Sequence, residues 1–321
     1  MNTLISFVIP VKDEAGSLEA LNQRIHAVMA KLPRYRFEIV FVDDGSRDRS
    51  WEIMRSLARR QPETVKALRL RRNFGKAFAL AMGFEASGGD IVFTLDADLQ
   101  DDPEEIPAFL EKLEQGYDLV SGWKQKRQDP LSKTLPSKLF NKVTAWLSGV
   151  PLHDFNCGFK AYRREVLQNI RIYGELHRYV PVLAHDMGFR IGEIPVRHHP
   201  RIHGSSKYGW ERYARGFLDL LTVLATTRYR HKPGHLFGGL GLVFGLLGGI
   251  ILAYLAILWF SGMGPIGNRP LFFVGILLVI LSIQLISVGL LAELITHHAS
   301  RRPPACAVVE TAGREADDET A

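Results

Sequence analysis

Ile91-Val92-Phe93-Thr94-Leu95-Asp96-Ala97-Asp98-Leu99-Gln100 is an apolar run that ends in two carboxylates one residue apart. Asp101, Asp102 and Pro103 follow. The run reads as a buried strand, and side chains at i and i+2 of an extended chain point to the same side, so Asp96 and Asp98 can face one ligand. A hard divalent cation with a phosphate-bearing partner suits such a pair. The carboxyl edge of an open α/β sheet is also where such folds bind their substrates. The alternative is a strand end whose acids cap the next helix, with Asp102 just before Pro103.

Working outward, apolar strands and amphipathic helices alternate through the first 120 or so residues. Strands are predicted at 4–11, 37–42, 65–70, 90–95 and 118–122, and helices at 17–32, 51–60, 74–86 and 103–115. In the first helix Leu18, Leu21, Ile25, Val28 and Met29 share one face. This βαβα rhythm implies a mainly parallel sheet with helices on both faces. Two other predicted strands also end in acids, at Lys12-Asp13-Glu14 and at Asp43-Asp44-Gly45-Ser46-Arg47-Asp48. Asp43, Asp44 and Asp48 could simply build an Asx-rich turn and a helix cap. Three acid clusters at one sheet edge fit a sugar nucleotide better, with carboxylates for base and ribose hydroxyls and a metal on the diphosphate.

The chain has 321 residues, 46% of them hydrophobic, and the apolar ones are unevenly spread. Leu236 to Phe260 and Leu271 to Ala292 carry no charge. As helices they would be about 37 and 33 Å long, each enough to cross a hydrocarbon core of about 30 Å. Arg228, Arg230, His231 and Lys232 precede the first, and His297, His298, Arg301 and Arg302 follow the second. Basic flanks stay cytoplasmic, which predicts a multi-pass inner-membrane protein with both termini and the large domain inside. Met1 to Val11 reads as a strand and not as a signal peptide. Of the 40 Lys and Arg, four lie beyond residue 235, and of the 34 Asp and Glu, six do, so 36 bases face 28 acids before it, a net +8. That excess suits an anionic membrane surface and phosphate-bearing substrates. No nucleic-acid module is recognisable, and two cysteines far apart give neither a disulfide framework nor zinc spacing.

Two further segments are amphipathic and basic. Leu131 to Leu147 sets Leu135, Leu139, Phe140, Val143 and Trp146 against Lys133, Lys138 and Lys142. Trp210 to Leu224 sets an aromatic-rich stripe against Arg212 and Arg215. Each reads either as a core face or as an interfacial helix. The expected organisation is a cytosolic domain at 1–207, a juxtamembrane amphipathic helix at 208–232, membrane helices at 236–260 and 271–292, and a polar, disordered tail at 303–321.

The ordered motifs Val8-Ile9-Pro10-Val11-Lys12-Asp13-Glu14, Val42-Asp43-Asp44-Gly45-Ser46, Arg72-Asn73-Phe74-Gly75-Lys76, Leu95 to Asp101, Asp154 to Tyr162 and Arg201 to Tyr208 carry a resemblance. The chain resembles the inverting family 2 glycosyltransferases of the GT-A fold. Within them it is similar to the polyprenyl-phosphate glycosyltransferases, which include dolichol-phosphate mannose synthases and bactoprenol-phosphate glucosyl and aminoarabinosyl transferases. The resemblance implies that Pro10, Glu14, Asp43 and Asp44 line a nucleotide pocket. It implies that Asp96, Asp98 and Gln100 surround Mg²⁺ or Mn²⁺ and the donor diphosphate, and that Asp154 sits near the reacting sugar. Lys133, Arg201, Ser206 and Lys207 would hold the phosphate of a polyprenyl lipid at the membrane. A homotetramer is implied as well. Two positions depart from the usual pattern: Asp13 replaces a common Asn, and Lys133 replaces a common Arg, which turns a bidentate contact into a point charge.

The implied reaction transfers a hexose from a nucleotide sugar, a UDP-sugar by the Arg72–Lys76 match, to a polyprenyl phosphate. Two alternatives stand beside it, a GDP-mannose-dependent synthase and a non-catalytic membrane scaffold. A processive polysaccharide synthase is disfavoured because the chain lacks a Gln-x-x-Arg-Trp motif and has few membrane helices. His185-Asp186 imitates a base pair but reads as a helix-surface pair. His198, His199 and His203 lack metal-ligand spacing. Gly238, Gly239, Gly241 and Gly245 read as close helix packing.

Overall fold

The computed structural model describes residues 3–125, 131–170, 176–199, 233–262 and 265–299. Lys133 lies in a described helix with its side chain undescribed, and Arg201, Ser206, Lys207, the 208–232 segment and the 303–321 tail fall outside the described residues. The chain divides into two compact units, one containing residues up to Val223 and the other running from Leu224 to Pro303.

The first unit is built on a seven-stranded sheet. In chain order its elements are β1 (Thr3–Val11), α1 (Leu18–Ala30), β2 (Tyr35–Asp43), α2 (Ser50–Arg60), β3 (Val65–Arg69), α3 (Lys76–Ala86) and β4 (Ile91–Thr94). A 3₁₀ turn (Pro103–Glu105), α4 (Ile106–Glu114), β5 (Leu119–Trp123), α5 (Leu131–Ser148), β6 (Lys160–Arg163) and α6 (Arg164–Asn169) come next. A second 3₁₀ turn (Leu176–Arg178), α7 (Val180–Asp186) and β7 (Ile191–Pro195) complete it. The spatial order is β3-β2-β1-β4-β6-β5-β7. All neighbours are parallel except those of β6, which runs antiparallel to both β4 and β5.

The period-2 alternation of β1 explains the layering. Ile5, Phe7, Ile9 and Val11 face a core shared with Leu18, Leu21 and Ile25 of α1 and Phe109 and Leu110 of α4. Val8 points the other way, with Val40, Val42 and Val92, onto Ala79 and Leu80 of α3. Leu119, Tyr162 and Val166 form a third cluster with Val180 and Ala184 of α7. Both faces of the sheet are therefore covered, as a largely parallel sheet requires. The helix predicted from 103 opens as the 3₁₀ turn, because Asp102 Oδ1 accepts Glu104 N–H and Pro103 takes the first position.

Among the described side chains of α5, Asn141 and Thr144 are buried, while Trp146 is 78% exposed. The stripe expected there is thus not a single buried face, because its aromatic end turns outward.

The second unit is a pair of helices, α8 (Pro233–Phe260) and α9 (Pro270–Ala299), long and apolar enough over 237–260 and 270–295 to cross a membrane. They run antiparallel: Gly241 and Gly245 of α8 abut Ser282 of α9, and Gly248 abuts Gly275. Gly238 and Gly239 have open space where their own Cβ would stand, although the Gly238 backbone nitrogen lies 3.4 Å from where a Cβ on Gly289 of α9 would be.

Candidate active site

The first two acid clusters lock two loops together. Asp13 N–H donates to Ser46 Oγ at 3.0 Å, and Asp13 Oδ1 accepts Arg47 N–H at 2.7 Å. Glu14 N–H donates to Ser50 Oγ, and Ala15 N–H to Asp48 Oδ2. Lys12 Nζ donates to the Gly45 carbonyl. Asp13 reaches these partners from φ +52°, a left-handed conformation in which Asn and Asp are enriched, so the exchange with the common Asn keeps the turn. Gly45 is required here, because its φ is +69° and a Cβ would stand 2.7 Å from the backbone of Arg72 and Asn73.

Asp43 and Asp44 face different tasks at the end of β2. Asp44 accepts Phe74 N–H at 2.7 Å and Gly75 N–H at 3.0 Å, so it ties down the Arg72–Lys76 loop. Burial raises the pKa of its carboxyl, against those two N–H groups and Lys12. Asp43 Oδ1 accepts Ser46 N–H, while the buried Oδ2 stands 3.4 Å from Arg69 Nε and takes no hydrogen bond among the described residues. Beside them opens a cleft of about 540 Å³ whose walls include Lys12, Arg47, Arg69, Arg71, Arg72 and Asn73. Its lining is cationic. The predicted Pro10, Glu14, Asp43 and Asp44 are not among its lining residues, and the fully buried Asp43 meets its wall through Arg69.

The third acid cluster is where β4 ends. Asp96 pairs with Lys76, the first residue of α3. Burial alone would raise the Asp96 pKa, but the Lys76 and Lys124 ammonium groups hold it well below the usual carboxylate range. Asp98 is buried and accepts Gln100 N–H at 3.2 Å. Between them and Gln100 the chain passes through Leu99 at φ +62°, a conformation that costs a bulky residue about 1–2 kcal/mol and so marks a turn held by its surroundings. Gln100 Nε2 donates to the His199 carbonyl at 3.3 Å, and His199 N–H returns a bond to the Gln100 carbonyl. Asp102 is held by Arg24 at 2.5 Å and by His199 Nε2 at 3.0 Å. Asp101 is fully buried against Lys124 at 3.3 Å.

Asp154 enters from the loop between α5 and β6. It is buried, and its Oδ1 accepts Asn156 N–H. Four residues on, Gly158 lies against Asp96, so Asp154 and the first acid of the pair belong to one locality. His177 is also close in charge terms. Burial first, then Lys76 and Arg178, hold its pKa well below the ordinary imidazole value, leaving the ring neutral at pH 7. His185 and Asp186 are exposed at the end of α7, as a helix-surface pair.

Asp96 is thus brought beside the turn that carries Asp154, Asp98 and Gln100 follow it in the turn after β4, and Asp43 and Asp44 lie at the end of β2, with β1 between β2 and β4. Lys76, Lys124, Lys160 and Glu193 were not singled out from the sequence, although Lys76 closes one of the motifs. A charge inside a short apolar stretch, as in Phe159-Lys160-Ala161 or Ile191-Gly192-Glu193-Ile194, is the signal that could have found the last two.

Among the described residues no three His, Cys, Asp or Glu side chains cluster as a protein-only metal cage. Two hard carboxylates at the sheet edge, one kept ionised by lysines, do fit a Mg²⁺ or Mn²⁺ ion that takes its other ligands from substrate phosphate and water.

The sequence profile of glycosyl transferase family 2 matches residues 6–171. The chain is 39% identical over 295 residues to the dodecaprenyl-phosphate galacturonate synthase of Rhizobium johnstonii, covering 91% of this chain and 87% of that protein. It is 40% identical over 290 residues to an undecaprenyl-phosphate 4-deoxy-4-formamido-L-arabinose transferase of Pseudomonas aeruginosa, covering 90% and 84%. Among solved structures, glucosyl-3-phosphoglycerate synthase from Mycobacterium tuberculosis, in complex with Mn²⁺, UDP and phosphoglyceric acid, superposes with a TM-score of 0.53 at 20% identity, over 70% of this chain and 78% of that one. The sheet is therefore that of a GT-A glycosyltransferase, and the chain belongs to glycosyl transferase family 2.

Proposed function

We propose that the protein transfers a hexose from a nucleotide-diphosphate sugar, a UDP-sugar by its Arg72–Lys76 motif, to a polyprenyl phosphate of the undecaprenyl type, giving a glycolipid for cell-envelope or lipid A modification. The observation that carries this reading is the extent of the match. Alignments of 290 and 295 residues are longer than the first unit, so likeness to the two polyprenyl-phosphate transferases extends into the apolar helices.

The chemistry follows from charge. A phosphate monoester has a second pKa of about 6, so the acceptor is largely dianionic at neutral pH and is already a nucleophile. One of its oxygens forms a bond to the anomeric carbon while the bond from that carbon to the donor diphosphate breaks. The electron pair leaves on the diphosphate, no proton has to move, and single in-line displacement inverts the anomeric centre. No general base is needed, and the His185–Asp186 pair lies exposed at the end of a helix.

Asp96, Asp98 and Gln100 would hold the divalent ion, which supplies charge neutralisation for the departing nucleoside diphosphate. Lys76 and Lys124 bring further positive charge beside Asp96. The cationic cleft, whose wall residue Arg69 pairs with Asp43, would receive the nucleotide, and the family resemblance assigns Pro10, Glu14, Asp43 and Asp44 to that pocket. Asp154 would stand next to the sugar. Lys133, Arg201, Ser206 and Lys207 would orient the lipid phosphate, supplying the proximity on which an uncatalysed nucleophile depends. The two apolar helices would anchor the chain in the inner membrane with both termini and the first unit on the cytoplasmic side, assembled as a homotetramer.

The test is to incubate the purified chain in detergent with undecaprenyl phosphate, Mg²⁺ or Mn²⁺ and a panel of UDP- and GDP-sugars. Glycolipid and nucleoside diphosphate in equal amounts from a UDP-sugar are the expected result. Product from GDP-mannose alone would support the mannose-synthase alternative, and no product from any donor would favour a scaffold.

A further inference from the structure

Four strands place one polar side chain each in a single cross-sheet row. The register pairs Thr94 of β4 with Lys160 of β6, Lys160 with Ser121 of β5, and Ser121 with Glu193 of β7. Directly paired residues project to the same face of a sheet. Their neighbours Phe93, Ala161, Val120 and Ile194 all belong to the core on the opposite face, which fixes the direction of the row.

That row meets the backbone of the 153–158 turn. Glu193 Oε1 accepts His153 N–H at 2.9 Å and Asp154 N–H at 3.1 Å, and its Oε2 stands 2.7 Å from His153 Nδ1. Lys160 Nζ donates to the carbonyls of Phe155 and Cys157. Thr94 Oγ1 donates to the Gly158 carbonyl at 2.7 Å. A carboxylate thus takes the N–H groups at one end of the turn, and an ammonium and a hydroxyl take carbonyls along the rest. Lys160 is 3% exposed and the Glu193 side chain 11%. Burying an ammonium and a carboxylate is costly unless each is fully engaged, so their retention under this turn calls for a role in its geometry.

We propose that Glu193, Lys160 and Thr94 are positioning residues for the transfer reaction, acting as a template that sets the backbone of residues 153–158 and so fixes Asp154 and the seat of Gly158 against Asp96. The role in transfer rests on the function proposed above; the template itself does not. A misplacement of about 1 Å in such a site costs about a hundredfold in rate.

The experiment uses the full chain in detergent and two readouts. Hydrogen–deuterium exchange of peptides spanning 150–160, without ligands, is compared for wild type, Glu193→Ala, Glu193→Gln, Lys160→Met and the near-isosteric Thr94→Val, which keeps the fold available should Lys160→Met unfold. Exchange is expected to rise locally, most in Glu193→Ala and less in Glu193→Gln, whose remaining carbonyl still accepts. With the active donor, kcat is expected to fall about ten- to a hundredfold, with the donor KM held within about threefold and partial rescue in Glu193→Gln. Unchanged exchange, wild-type kcat in folded variants, or losses that merely track the thermal midpoint would overturn the proposal. A wild type that forms no product would refute the proposed function, while the exchange data would still decide whether the template exists.

Discussion

The α-carbon of Gly158 is seated against the carboxylate of Asp96: a Cβ on Gly158 would stand 2.7 Å from Oδ2 and 2.8 Å from Oδ1. Asp96 is at the same time paired with Lys76, so its carboxylate is confined between a backbone and an ammonium. Gly158→Ala should therefore push Asp96 out of position. We expect kcat to fall about tenfold or more and the Mn²⁺ concentration needed for half-maximal activity to rise, with little change in thermal midpoint. Steady-state kinetics across a metal titration check this.

Asp102 binds the loop after β4 to α1 and to the segment that includes His199, through Arg24 and His199 Nε2. Burial raises its carboxyl pKa, but the His199 bond, Glu104 N–H and Arg24 outweigh this and leave it below the ordinary carboxylate value. A depressed folded pKa contributes stability above the unfolded value, and that contribution is lost as pH falls through the folded one. Asp102→Asn should lose about 1–2 kcal/mol at pH 7, the half-exposed ends of Arg24 and His199 screening the pair. The gap from wild type should narrow as pH falls below about 4. Thermal melts from pH 7 to pH 3 measure both effects.

Cys157 is fully buried in the same turn as Asp154, and burial pushes its thiol pKa up to about 12. At pH 8 only about one thiol in ten thousand would be the reactive thiolate. Iodoacetamide should leave Cys157 unmodified in the folded chain and alkylate it fully in denaturant, as read by mass spectrometry of the peptide carrying it. Rapid labelling in the folded chain would show that the turn opens.

The first half of the sheet was legible because each strand and helix there carries its own periodic signal, from Leu4 to Gly122. The elements β6, α6 and β7 were not, and of α7 only the His185–Asp186 end read as helix. Lys160-Ala161-Tyr162-Arg163 is four residues with charged ends, and it becomes a strand because it inserts between β4 and β5, a long-range pairing that no local pattern encodes. The carboxylates of the site were legible because they end strands. Their partners were not: Lys124 meets Asp101, and Glu193 meets His153, only once the sheet order is known. The sequence also could not divide the labour of Asp43 and Asp44, adjacent residues of which the first pairs with Arg69 of the cleft wall and the second takes the Phe74–Gly75 backbone.

The most direct measurement compares wild type with Asp98→Asn in glycolipid formation from undecaprenyl phosphate and the donor selected by the UDP- and GDP-sugar panel, at saturating Mn²⁺. The account predicts metal-dependent product from wild type, and at least a hundredfold (~10²) less from a variant whose thermal midpoint is close to wild type. Full activity in Asp98→Asn, or transfer by wild type that is indifferent to chelation of the metal, would contradict it.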